Sequence, residues 1–459
     1  MKYLFVIFLC CLLQPSFSQK VLVKDIQVTG NQKTKSNILL RELTFGVGDS
    51  LEINQLPILF EKNSRYLIGT YLIYECKFTY KKIHNEINIT MDVVEPWYIY
   101  PIPIFELADR NFNVWWDEYN HDFTRTNIGV QMKHYNFTGR RDQLKLTGQY
   151  GYTQKLELDY KIPGVNPNKT MGFFFNLYFK RSKETPFTTI NNKLKFLKED
   201  QFYNQSFRAF IGLSLRPKLR TTHSIRLLFR KNKVSDLIST DYNPNFFSNG
   251  QSSQKFFSFQ YKFVFDTRDF EPYPTKGILF SSKLSKIGLG IFNELNYAKI
   301  NHRLLWYIPL FKNFTLASFT KINLNICSTN IPYNQIQALG YRENQLHGYE
   351  YYVIDGAYFG FIKTSFRYRF LNKTIHWKKL MPIQSFKIMP LELFATINND
   401  FGYVHTSTYD QLGMLNNKVI WGKGIGLDIV FYTTFVFRID YSINNINEKG
   451  FFFHFNPYF

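Results

Sequence analysis

From Ala357 onward the chain alternates. Tyr358, Ile362, Phe366, Tyr368 and Phe370 fall on one parity, and Lys363, Ser365, Arg367 and Arg369 on the other. A pleated strand sends two such sets to opposite faces, so one face suits lipid or a core and the other suits water. The same texture recurs upstream. Phe257, Phe259, Tyr261, Phe263 and Phe265 oppose Ser258, Gln260, Lys262 and Asp266, while Phe173, Phe175, Leu177 and Phe179 oppose Asn176 and Lys180. Alternation predicts about sixteen strands. They lie near 100–108, 126–136, 142–152, 154–162, 171–182, 206–216, 221–233, 254–266, 276–286, 292–308, 313–326, 357–371, 389–402, 420–432, 434–444 and 449–459. The longest connections, 183–205, 234–253 and 327–356, all join an odd strand to the next even one. A barrel with long loops on one rim and short turns on the other has this asymmetry. The connection 372–388 is longer than that rule expects.

Residues 20–95 read differently, as a small α+β domain in the order β-α-α-β-β. Val21 to Thr29 alternates and stops at Gly30-Asn31. Thr34 is the expected N-cap of a helix through Leu43, with Ile38, Leu39 and Leu43 on one face. Gly46 to Asp49 breaks the chain before a second helix over Ile53 to Ile68. Strands Tyr74 to Ile83 and Glu86 to Val94 then turn at His84-Asn85. The expected fold class is therefore all-β, a sixteen-stranded transmembrane barrel over 96–459, behind one α+β domain.

Composition sharpens this picture. Aromatics make up 19% of the chain, yet mean hydropathy is −0.25; alternating strands produce that pairing because every second residue is polar. A soluble sandwich would line its apolar face with Val, Ile and Leu, whereas Phe and Tyr in nearly every strand suit a lipid wall with interfacial girdles. Residues 1–18 read as a secretory signal, with Lys2, an apolar run from Tyr3 to Leu13, and Ser16-Phe17-Ser18 before Gln19. Leu9 is a poor residue to precede a lipid-modified Cys10. Cys76 and Cys327 lie far apart and form neither a disulfide framework nor a zinc motif. The formal charge of +21 is scattered one or two residues per strand, which fits a wet barrel interior better than nucleic acid. No HExxH, GxSxG or Walker loop is present, so no enzyme, metal or cofactor is expected. Gly422-Lys423-Gly424-Ile425-Gly426 sits inside a strand pattern, where glycines face a crowded interior rather than a phosphate.

Four stretches carry a resemblance. Ala338 to Gly356 has no strand or helix period, and its LHGYEYYVIDG portion is similar to the lumen-loop signature of the BamA/TamA outer-membrane assembly superfamily. There an arginine usually precedes Gly-Tyr or Gly-Phe; here His347 precedes Gly348 and Tyr349, with Asp355 and Gly356 closing the motif. Phe265 to Gly277 resembles the family's turn through Asp266, Arg268, Asp269, Pro274 and Gly277. The last strand places Phe451, Phe453, Phe455 and Phe459 in the manner of a barrel-insertion signal, with Pro457 removing one ladder donor. The order of residues 20–95 resembles a polypeptide-transport-associated (POTRA) domain, and the motif wording resembles Bacteroidota members.

The resemblance implies a bacterial outer-membrane location with the N-terminal domain in the periplasm, and a lumen loop over 327–356. It implies that the loop is locked to an inner acidic residue, for which Asp400 is the candidate, through His347 or through Arg342 upstream. His347 serves this lock, weaker and pH-dependent, or is a structural imidazole. The implied partners are unfolded outer-membrane or secreted client proteins, accessory lipoproteins and outer-membrane lipid. A client strand would add first to an edge bearing Tyr74, Phe78 and Tyr80, then at a lateral gate between the first and last barrel strands. General assembly, dedicated export of one partner protein and a passive pore all remain open.

Overall fold

A computed structural model of the chain describes residues 19–269, 272–292, 295–326, 331–377, 387–406 and 413–455. The signal segment 1–18, Cys327, Pro457 and Phe459 lie outside the described residues. The chain divides into two compact units. The first comprises residues up to Tyr100 together with Lys133–Leu144, and the second Pro101–Met132 with Lys145–Phe459.

In the first unit, β1 (Lys20–Thr29), α1 (Ser36–Leu40), β2 (Ser50–Glu52), α2 (Leu56–Ile68), β3 (Glu75–Ile83) and β4 (Glu86–Val94) follow in order. Their sheet runs β2-β1-β4-β3, with β1 parallel to β4 and the other pairs antiparallel. Alternating Ile87, Ile89 and Met91 on β4 bury completely against Leu39, Leu56 and Leu67 of the helices. The three-residue β2 is an addition to the expected order. Thr34 is not the N-cap of α1: Lys35 holds that position without a side-chain bond. The Thr34 hydroxyl is instead taken up by Tyr98 at 3.0 Å and Asn136 at 2.8 Å.

The second architecture is a sixteen-stranded antiparallel sheet. Its strands are β5 (Ile99–Leu107), β6 (Thr126–Tyr135), β7 (Gln143–Gly151), β8 (Thr153–Ile162), β9 (Met171–Ser182), β12 (Asn204–Lys218), β13 (Thr221–Lys233), β14 (Ser253–Asp266), β15 (Gly277–Ile287) and β16 (Tyr297–Phe311). They continue with β17 (Phe314–Ile326), β18 (Tyr358–His376), β19 (Ile388–His405), β20 (Val419–Phe431), β21 (Phe435–Asn444) and β22 (Lys449–Phe455). The long connection 372–388 is shorter than expected, because β18 and β19 both run further than their apolar alternation.

Two elements in the loops were not foreseen. One is a hairpin of β10 (Glu184–Ile190) and β11 (Lys193–Lys198), and the other is a short helix, α3 (Phe112–Asp117). The wall is inverted relative to a soluble protein. On β19, Ile397, Phe401 and Tyr403 are exposed outward, while Thr396, Asn398 and Asp400 are buried inward. Lipid covers the first set, and the second must find partners inside.

Candidate functional site

Asn398 finds its partners on the wall, in Thr396 and Asp440, but Asp400 finds its partner in the loop between β17 and β18. Its backbone closes on itself at an antiparallel bridge, Leu339 to Ile354, with N–H to O distances of 3.0 and 3.1 Å. Leu339, Leu346, Tyr349 and Ile354 form an apolar core with wall residues Leu305, Phe319, Phe361 and Val404. The loop is thus folded into the interior as a second, small hydrophobic core.

Around that core, loop carbonyls and carboxylates are reached by side chains from the surrounding elements. Arg110 donates to the carbonyls of Gly340, Tyr351 and Tyr352 at 2.9–3.1 Å. Asn111 reaches Glu350 O at 2.8 Å, and Asn192, at the β10–β11 turn, reaches Val353 O at 3.1 Å. Asp355 accepts from Thr189 at 2.6 Å and Tyr341 at 3.2 Å; burial pushes its carboxyl up to about 6 against the pull of those bonds. Gly356 closes the loop by donating to Ile336 O at 2.8 Å.

His347 is the centre of the lock. Its N–H and Nδ1 both lie on Asp400 Oδ2, at 3.0 and 2.7 Å, and Nε2 stands 3.5 Å from Asp440 Oδ2. A protonated imidazole carries N–H on both ring nitrogens, so His347 bonds Asp400 from one side and faces Asp440 as a charge partner on the other. Burial alone would lower the imidazole, but Asp400 and then Asp440 outweigh it and hold His347 at about 10. Arg342 does not join Asp400. It sits at φ 48 in a left-handed turn with its side chain exposed, while Asp400 is fully buried.

The loop backbone approaches the wall closely. Gly348 takes φ 79, and Asn444 Nδ2 donates to its carbonyl at 2.7 Å. A Cβ at Gly422 would stand 1.8 Å from His347 O, so only glycine leaves room for the loop there. Tyr349 hydrogen-bonds Trp421 O at 3.3 Å and also the Asn445 side chain.

The turn between β14 and β15 forms a second cluster. Arg268 grips Asp266 with both Nε and Nη2, at 3.0 and 2.9 Å, and Asp269 accepts from Thr275 N and Oγ1. Gly277 opens β15, and the buried Pro274 follows Tyr273. Tyr273 reaches Asp428 at 2.6 Å. Asp428 also holds Arg438 bidentately at 2.6 and 2.8 Å, and the Arg367 guanidinium lies 4.5 Å over the Tyr273 ring.

β22 and β5 stand at opposite ends of the strand order, and among the described residues no strand pairing joins them. A side chain of α3 occupies the free edge instead. Phe453 N–H donates to Asn113 Oδ1 at 2.9 Å, and Asn113 Nδ2 donates back to Phe453 O at 3.3 Å. One carboxamide thereby reproduces the paired contact that a neighbouring strand would make. Phe112 stands edge-on to Phe453 and Phe455 at 6.0 and 6.2 Å. Behind the seam, a cavity of about 650 Å³ runs from Phe105 and Leu107 of β5 to Phe453 of β22, with His347, Glu350 and Lys363 further in.

In the N-terminal unit, β3 pairs with β4, and among the described residues no strand pairs its other edge. Tyr74 and Tyr80 are exposed there, at 73% and 43%. Phe78 is not part of that surface. It stacks on Phe60 at 5.0 Å in the core, because Phe78 and Cys76 share the face that α2 covers.

The sequence matches the Omp85 superfamily domain over residues 136–456, most of the chain. The chain belongs to the Omp85 superfamily. No curated protein matches the sequence. Among solved structures, BamA from Haemophilus ducreyi lacking POTRA domains 1–3 is similar at a TM-score of 0.66 and 13% identity, over 95% of this chain and 84% of that one. CdiB from Escherichia coli is similar at a TM-score of 0.57 and 10% identity, over 95% and 76%. Identities this low report fold.

This Omp85 chain is a bacterial outer-membrane barrel with an N-terminal domain in the periplasm. Its superfamily serves outer-membrane insertion or translocation, work of assembly and transport rather than enzymes. The titration of His347 follows from its setting. An imidazole raised above its unfolded value of about 6.5 stabilises fully below that pH, and the contribution is lost as pH rises through about 10. Melting temperature is expected to fall between pH 7 and 10.5, and His347→Gln is expected to flatten that fall.

Of the residues that matter here, Asn113, Arg110, Tyr273 and Asp440 went unread in the sequence. The β10–β11 hairpin did leave a signal. Asn191-Asn192 between two alternating runs, at φ 50 and 60, is a two-residue turn of the left-handed type.

Proposed function

We propose that this chain is an outer-membrane assembly factor or translocase that passes β-rich client proteins through the seam between β5 and β22. The observation that carries this reading is the edge of β22 that no strand pairs among the described residues, on which a single carboxamide stands. An edge strand with open N–H and C=O groups is a template for another strand. Among the described residues this edge is held by the reciprocal pair of hydrogen bonds to Asn113, which is cheap to open beside a full ladder. Clients are unfolded outer-membrane or secreted chains, met first at the free main chain of β3 flanked by Tyr74 and Tyr80. Accessory lipoproteins and outer-membrane lipid are the remaining partners. The exposed Phe451 and Phe455 of β22 serve as the chain's own insertion signal, together with Phe453.

A second reading is a dedicated exporter of one partner protein. A passive pore is the third. Deletion of residues 20–95 separates these. In vesicles carrying the full chain or the truncated one, an assembly factor or exporter loses client insertion or release on truncation, whereas a pore conducts equally well. Outer-membrane proteomics after depletion divides the first two: a general factor lowers many unrelated barrels together, and an exporter costs one surface or secreted protein.

A further inference from the structure

The inner wall over β13–β17 breaks a rule of sheet pairing. Lys262 and Lys283 stand directly opposite one another on β14 and β15, as do Arg303 and Lys321 on β16 and β17. Like charges directly opposite are destabilising, so such pairs call for a counter-ion. These four line one cavity of about 370 Å³, together with Arg226 and Lys299. Glu343 is the carboxylate in that lining. It reaches Lys321 at 2.6 Å and Arg303 at 2.9 Å, presented by the turn that begins at Arg342. Burial would raise the Glu343 carboxyl, but Lys321 and Arg303 pull it below its ordinary range, so it is charged in place.

Arg226, Lys262, Lys283 and Lys299 have no ion-pair partner among the described residues. Between them the wall offers Ser281, Gln260 and Asn301, short polar groups able to hydrogen-bond an oxyanion. Charge spread over the loops needs no explanation, but a concave, low-dielectric basin of one sign focuses its field and concentrates anions.

We propose that this basin is a binding site for a small multivalent oxyanion of the phosphate class. Glu343 is its built-in partial occupant, neutralising one end while the other awaits a ligand. A cavity this size, already shared with the loop, takes a phosphate or pyrophosphate rather than a peptide. The site is independent of whether the chain inserts or exports clients.

The test uses the full chain in a maltoside detergent, which carries no phosphate, at constant ionic strength. Inorganic pyrophosphate is titrated by calorimetry and by its effect on unfolding temperature, with chloride as control. Binding is expected in the wild type. Lys283→Gln with Lys299→Gln should weaken it at least about tenfold. Glu343→Gln should tighten it by about tenfold, since Arg303 and Lys321 are released to the ligand. That opposite sign separates the basin from diffuse attraction to a chain of charge +21, which both changes would leave nearly untouched. A second arm adds phosphatidylglycerol in place of pyrophosphate. A response to the lipid alone, with the same variant pattern, assigns the phosphate to a headgroup, and a response to pyrophosphate assigns it to the free ion. No binding of either, or binding that Glu343→Gln leaves unchanged, overturns the proposal. The wild-type and Glu343→Gln titrations decide the matter even if the double variant fails to fold.

Discussion

Asp400→Ala is expected to destabilise the barrel by about 3–5 kcal/mol, the usual cost of removing one partner from a buried ion pair. Asp400 is fully buried and receives both the backbone N–H and the Nδ1 of His347 on one oxygen. Its loss leaves an imidazolium facing Asp440 alone at 3.5 Å, with the loop N–H unsatisfied in a place water does not reach easily. The loop should then loosen around its centre. Two measurements follow: the temperature at which the folded, fast-migrating form is lost on a detergent gel, and protease cleavage within residues 340–352. A variant that melts like the wild type, with a resistant loop, would show that the apolar core of Leu339, Leu346 and Ile354 holds the loop without the ion pair.

Asn113→Ala is expected to raise the exchange rate of the Phe453 amide by about 10- to 30-fold. The variant removes two hydrogen bonds, each worth about 1 kcal/mol net, and about 1.4 kcal/mol is a factor of ten in an equilibrium. The bonds are the reciprocal pair between one carboxamide and the main chain of one residue on the edge of β22. Hydrogen exchange read on a peptide covering residues 449–455 reports the effect directly. Asn113→Gln should behave nearly like alanine, because one added methylene displaces the amide from its register. If exchange is unchanged, the edge is held by Phe112 and its aromatic contacts instead. Client insertion in vesicles should quicken with the edge released, unless opening of the seam is not the slow step.

The candidate lock shows how far residue types carry without geometry. His347 and Asp400 were paired in advance by the resemblance, which implies a loop locked to an inner acid, and the structure brings the two together at 2.7 Å. The titration was not legible. An unperturbed histidine changes charge near neutrality; the buried Asp400, and after it Asp440 on β21, overcome the cost of burial and move His347 to about 10. Asp440 is an acid among many until β20 and β21 are in register. The same holds for Asp428 and Arg438, directly opposite across that pair.

Local chemistry determined the strands. Period-two alternation of aromatic and polar residues is written in consecutive positions, and it survives any arrangement of the rest, so all sixteen wall strands were readable from the chain alone. Turn residues likewise announced the β14–β15 bend. What the tertiary structure alone decided is everything that joins residues far apart: the Asn113 carboxamide on Phe453, Tyr273 on Asp428, Arg110 under the loop carbonyls. It also decided why some inward positions are apolar. Phe319 and Phe361 break the polar parity of their strands, and the reason appears only when the loop packs its own small core against them. Alternation is a property of neighbours in sequence, whereas the loop, the seam and the cationic basin are properties of register and closure, which no single stretch encodes.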